Sequence, residues 1–177
     1  MNLTVNGARY ELSSPPLASL LHVLREEVGV TGPKAGCQQG GCGTCTVLVE
    51  DRPVRACLTA LAAIDGASVT TVEGLGTPGR LSVVQAAFHQ QYGSQCGFCT
   101  PGMLIATHAL LERSPSPSRD DIEDALSGHV CRCTGYVKII AAVEAAARGE
   151  TAGEGALPSL AETRAGEPEV VIPGSPA

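Results

Sequence analysis

Apolar positions along the chain keep two different periods, and the change between them falls near residue 77. Leu3 and Val5 alternate with polar neighbours, Asn6-Gly7 is a strong two-residue hairpin signal, and Tyr10 and Leu12 resume the alternation. Leu17, Leu20, Leu21, Leu24 and Val28 then recur at helical spacing, with His22, Arg25 and Glu26 on the other face, until Gly29 and Gly32-Pro33 end the run. Further on, "TCTVLVE" is β-branched and strand-like, "DRP" is a turn, "VRACL" is a returning strand and "ASVTTVEG" a last one. Residues 1–76 therefore predict a small sheet of about five strands wrapped round one helix.

From Leu81 the apolar period is 3.6. "LSVVQAAFHQQY" and "PGMLIATHALLER" read as helices, the second with Pro101 at its first position. "SPSPS" at residues 114–118 is a loop, and Ser118 with Asp121 three residues on opens a third helix that ends at Gly128. "YVKIIAAVEAAAR" is a fourth. The expected fold class is α+β, a sheet domain over residues 1–76 followed by an all-α four-helix domain over residues 77–148. Residues 149–177 are rich in Gly, Pro and Ala and carry five Glu against one Arg, which reads as a flexible tail or one draped on a partner.

Composition narrows the function. With 177 residues and 44% hydrophobic content the chain can bury a core, although aromatics are only 3%, so aliphatic side chains must fill it. A net charge of −6 without any basic cluster argues against nucleic acid and anionic membrane as partners. No apolar run approaches the roughly 18 residues of a membrane span. Nothing in "MNLTVNGARYEL" resembles an export signal, so the expected location is cytoplasmic. In that reducing compartment eight cysteines point to metal or cluster ligation rather than to four disulfides.

The spacing of those cysteines carries the chemistry. Cys37, Cys42 and Cys45 form C-x4-C-x2-C, and Cys57 lies on the returning strand, which is the plant-type [2Fe-2S] ferredoxin pattern. Gly40, Gly41 and Gly43 let the loop take positive φ and aim backbone N–H groups at sulfur. The second set, Cys96 and Cys99 with Cys131 and Cys133, does not follow usual zinc spacing. Both of its pairs precede helices, whose N-termini favour an anionic cluster. Two structural zincs remain the competing use of eight cysteines. Met103 and Phe98 read as core, and His129 as a loop residue or a tuner of the second site. No nucleophile or acid–base constellation and no phosphate-binding glycine motif is present, so bond-making chemistry belongs to another polypeptide.

Taken together, "GCQQGGCGTCTVLV", "RACLT", "QCGFCTPGM" and "GHVCRCTGY" resemble the iron–sulfur subunit of the molybdenum hydroxylases, the xanthine oxidase and aldehyde oxidoreductase family, from about residue 2 to 148. The resemblance implies a β-grasp ferredoxin-like domain and a four-helix domain, each with one [2Fe-2S] cluster. It implies a heteromeric complex in which this chain relays electrons from a molybdopterin cofactor on a large subunit to FAD on a medium subunit. It further implies that Gln95 and Cys133 touch the pterin, Cys133 while ligating iron. A free-standing two-cluster ferredoxin is the alternative. Two features depart from the family pattern: His129 stands where relatives often have Asn, and the acidic tail is longer than the pattern requires.

Overall fold

The first hairpin forms where the alternation places it. In the computed structural model, which describes residues 1–150, β1 (Asn2–Val5) and β2 (Ala8–Glu11) pair antiparallel. Asn6 and Gly7 between them sit at φ 50° and 84°, the two positive values that a right-twisted two-residue turn requires. β3 (Thr46–Val49) and β4 (Arg52–Arg55) form a second antiparallel hairpin. Its turn is Glu50 and Asp51, both at positive φ, one residue earlier than "DRP" suggested. Pro53 belongs to β4 itself. That strand is at the sheet edge, where a missing N–H leaves no ladder bond unmade. β5 (Ser68–Thr70) enters between β1 and β3, parallel to the first and antiparallel to the second, giving the order β2-β1-β5-β3-β4.

The helix expected from Leu17 to Val28 is shorter than its apolar spacing. Leu17 is 86% exposed. Ser19 caps the N-terminus by accepting the His22 N–H at 3.3 Å, so α1 (Leu20–His22) begins only after Pro15 and Pro16, then widens into a π-helical turn, Val23–Glu27. Leu20, Leu21, Val23 and Leu24 are all buried by this course, against Leu3, Val5, Val47, Leu61 and Val69.

Four helices follow, separated by loops: α2 (Val83–Gln90), α3 (Thr100–Arg113), α4 (Arg119–Ser127) and α5 (Val137–Ala147). Complete capping boxes start two of them, Ser82 with Gln85 and Ser118 with Asp121. Pro101 lies in the first turn of α3, where its lost N–H had no partner to lose. A second core gathers Phe88, Met103, Leu110, Ile122, Ile139 and Val143. The chain is thus α+β, a mixed sheet followed by helices. α3 packs on β3 and β4 and joins the two parts. Among the described residues no helix is long and apolar enough to cross a membrane. The tail expected over residues 149–177 falls, beyond residue 150, outside the described residues.

Candidate metal centres

The loop before β3 turns backbone donors onto sulfur. Cys37 Sγ accepts the N–H groups of Gln39 at 3.5 Å and Cys42 at 3.4 Å. Those donors, Gln39 first, bring its thiol down to about 6. Gly40 and Gly43 take φ 82° and 76° as the sequence predicted. Gly41 does not; Gln38 adopts the left-handed conformation instead, at φ 54°. Cys45, at the start of β3, is buried, and burial pushes its thiol up to about 11, with the sulfur of Cys57 and the charge of Cys42 adding to the effect. The sulfurs thus fall into two pairs, Cys37 with Cys42 and Cys45 with Cys57.

A second quartet forms at the N-terminus of α3 and the loop before α5. Cys96 and Cys133, both exposed, stand 3.5 Å apart, sulfur to sulfur. Cys99 caps α3, is buried and faces Cys131; burial first, then that neighbour, pushes it up to about 12. Burial works to raise Cys131 as well, but the Thr134 hydroxyl at 3.1 Å and the N–H groups of Thr134 and Cys133 outweigh it, and the thiol is lowered. The Tyr136 hydroxyl fixes this loop by accepting the Cys131 N–H at 2.8 Å and donating to the His129 carbonyl at 2.9 Å. Gln95 is exposed next to Cys96. The structure therefore brings together the members of each predicted set and leaves Gln95, Cys96 and Cys133 facing outward.

The two quartets meet at a polar junction. The Val130 N–H donates to the Cys42 carbonyl at 3.0 Å, so the residue preceding Cys131 is bonded to a cysteine of the other set. His129 is only 5% exposed. Its Nε2 lies 3.0 Å from Thr46 Oγ1 and 3.2 Å from Arg55 Nη1. A guanidinium only donates, so Nε2 accepts there and the ring proton belongs on Nδ1. Burial and the Arg55 charge hold His129 at about 4, far below the usual histidine range. Arg55 also donates to the Gly128 carbonyl at 2.7 Å and to Thr46 Oγ1. The approach is close enough that a Cβ on Gly43 would stand 2.5 Å from the Gly128 carbonyl oxygen.

Several expectations change here. His129, read as a loop residue or a tuner of the second site, lies in the loop after α4 but is buried there. Phe98, expected in the core, is 47% exposed, while Met103 is fully buried. Arg55, Thr46 and Tyr136 escaped the sequence reading although "RACLT" and "CRCTGY" contain two of them; their one signal is a polar side chain within a few residues of a cysteine.

The donor set suits a two-iron group better than a single ion. A tetrahedral zinc at ~2.3 Å from each sulfur needs all four sulfurs about 3.8 Å apart. Here the contacts pair the sulfurs instead, Cys96 with Cys133 at 3.5 Å among them. Paired thiols flanked by N–H donors match a cluster whose charge is spread over two irons and bridging sulfides.

Comparison with known proteins agrees. Residues 3–68 match a family model described as a 2Fe-2S iron-sulfur cluster binding domain, and residues 71–144 one described as a [2Fe-2S] binding domain. Over 143 residues the chain is 42% identical to the nicotinate dehydrogenase small FeS subunit of Eubacterium barkeri, covering 81% of this chain and 91% of that protein. The crystal structure of quinoline 2-oxidoreductase from Pseudomonas putida 86 superposes with a TM-score of 0.77 at 44% identity, over 85% of this chain and 97% of that one. Aldehyde oxidoreductase from Desulfovibrio gigas superposes with a TM-score of 0.79 at 43% identity, over 82% of this chain but 16% of that longer one. Two adjoining 2Fe-2S domains in this order, shared with a small FeS subunit over nearly its whole length, place the chain in the xanthine oxidase family of molybdenum hydroxylases, as an electron-transfer iron–sulfur subunit.

Proposed function

We propose that this chain carries electrons from a molybdopterin cofactor on a large partner subunit to FAD on a medium partner subunit of an aldehyde- or N-heterocycle-oxidising complex. In this reading residues 1–76 are a β-grasp ferredoxin-like domain whose cluster is held by Cys37, Cys42, Cys45 and Cys57. Residues 77–148 are a four-helix domain whose cluster is held by Cys96, Cys99, Cys131 and Cys133. The pairing of sulfurs supports one iron on Cys37 and Cys42 and the other on Cys45 and Cys57. It likewise supports Cys96 with Cys133 and Cys99 with Cys131. Bound clusters supply one-electron redox chemistry. The chain itself supplies thiolates, N–H donors that favour the reduced state, and a fixed separation between sites.

One observation carries the direction of the relay. The second quartet is sided: Cys99 is buried, while Cys96 and Cys133 are exposed beside Gln95. That exposed edge is where a pterin on a partner would make contact, with the Gln95 amide offering both donor and acceptor. The small-subunit relatives favour this role over a free-standing ferredoxin.

The test is to purify the chain anaerobically with whatever assembles on it and follow stepwise reduction by low-temperature EPR. Two distinct S = 1/2 signals, with molybdopterin and flavin copurifying, are expected. A chain that purifies alone, containing zinc and no acid-labile sulfide, overturns the reading.

A further inference from the structure

Arg55 is the residue that the electron-transfer role leaves unexplained. It sits on the edge strand β4 but turns inward, two residues before Cys57, and reaches the loop that precedes Cys131. Its guanidinium spans three groups from both halves of the chain: the Gly128 carbonyl at 2.7 Å, His129 Nε2 at 3.2 Å and Thr46 Oγ1. Thr46 passes the connection on, since its hydroxyl donates to the Gly43 carbonyl at 2.6 Å within the first cysteine loop. The adjacent backbone bond from Val130 to Cys42 lies in the same junction. Close packing leaves no slack, because added Cβ atoms at Gly43 or Gly128 would collide with His129 or with Arg55 itself.

We propose that Arg55 is a positioning residue that sets both the distance between the two cluster sites and their reduction potentials. The inference rests on both quartets carrying [2Fe-2S] clusters. Its two parts follow from separate properties of one side chain. The fork of donors staples the Gly128–His129 segment to β3 and β4, which neither Lys nor a neutral amide can reproduce at the same three acceptors. The positive charge, partly withdrawn from water between two anionic sites, favours an added electron on either one. His129 takes part through geometry: its Nε2, 3.2 Å from Arg55 Nη1, accepts from the fork, since a guanidinium only donates.

The experiment uses the full chain in its complex, comparing wild type, Arg55→Gln and Arg55→Lys. Iron content and two EPR signals in the wild type establish the underlying assignment first, so failure of that assignment is read separately. Redox titration followed by EPR and rapid photoreduction followed optically are the readouts. Arg55→Gln is expected to keep both clusters, move both potentials to more negative values, and slow electron equilibration between them several-fold. Arg55→Lys is expected to restore the potentials but not the equilibration rate. Unchanged potentials and rate in Arg55→Gln overturn the proposal, as does loss of iron from both variants, which makes Arg55 a folding contact only. If Arg55→Gln alone fails to assemble, Arg55→Lys decides: equilibration at the wild-type rate overturns the proposal and slower equilibration at wild-type potentials supports it.

Discussion

Tyr136 holds a left-handed backbone at φ 66° directly after Gly135 at φ 65°, a conformation that costs a residue with a Cβ about 1–2 kcal/mol. What holds it there is the phenol, bonded to the Cys131 N–H and the His129 carbonyl at once. Tyr136→Phe removes both bonds and leaves a partly buried amide beside a cysteine without a partner. A loss of about 1–3 kcal/mol is expected, read as a lower denaturant midpoint, together with a shifted EPR signal from the second cluster and an unchanged first one. An unaltered second signal counts against the role of the phenol in shaping that loop. Glu27 acts at the same scale through pH. Its carboxylate accepts from the hydroxyls of Ser14 and Ser13, at 2.6 and 2.9 Å, and from both backbone N–H groups, holding it near 2 against an ordinary 4.5. Because the folded value is the lower one, this stabilisation is complete above about pH 4.5 and is lost as pH falls toward 2. Thermal melts of Glu27→Gln should therefore lie below wild type at neutral pH and converge with it in acid. A constant gap across that window sinks the idea.

At the scale of elements, the capping boxes are the clearest case of local sequence deciding local structure. Ser118 accepts the Asp121 N–H at 3.2 Å while Asp121 accepts from the Ser118 backbone at 2.8 Å. Ser118→Ala is expected to cost ~1 kcal/mol by chemical denaturation, more than Ser114→Ala in the same loop, which ends α3 instead; equal costs would show that the cap is not what starts α4. Such signals span three residues and were legible, as were Asn6-Gly7 and Pro101. The start of the first helix was not, because Leu17 keeps the apolar spacing yet lies before the Ser19 cap. The second hairpin's turn was placed one residue late, at "DRP", because neither Glu50 nor Asp51 advertises positive φ as glycine does. At the candidate sites, spacing marked out the first cysteine set, and the second was grouped by its place before two helices and by the family motifs. Arg55 stayed invisible for a different reason: its acceptor at Gly128 is 73 residues away, and no periodicity records a bond made between domains.

Among the described residues two large apolar cores flank a junction that carries both polar bonds and the packing of α3 on β3 and β4. One core draws on the strands and the first helix, the other on α2 to α5. Across the junction run the Arg55 fork and the Val130–Cys42 backbone bond. Each cysteine quartet is drawn wholly from one side. Cluster loading should then be separable even though the halves are held in fixed register. Replacing Cys57 by Ala removes a sulfur beside buried Cys45 and is expected to abolish the first EPR signal and about half of the bound iron while the second signal persists. Replacing Cys131 by Ala is expected to do the converse. Loss of both signals from either variant would mean that the junction, not the cores, governs folding. The larger apolar burial argues against that outcome, since each core buries at least ten apolar side chains of its own, while the junction's hydrogen bonds add about 1 kcal/mol each.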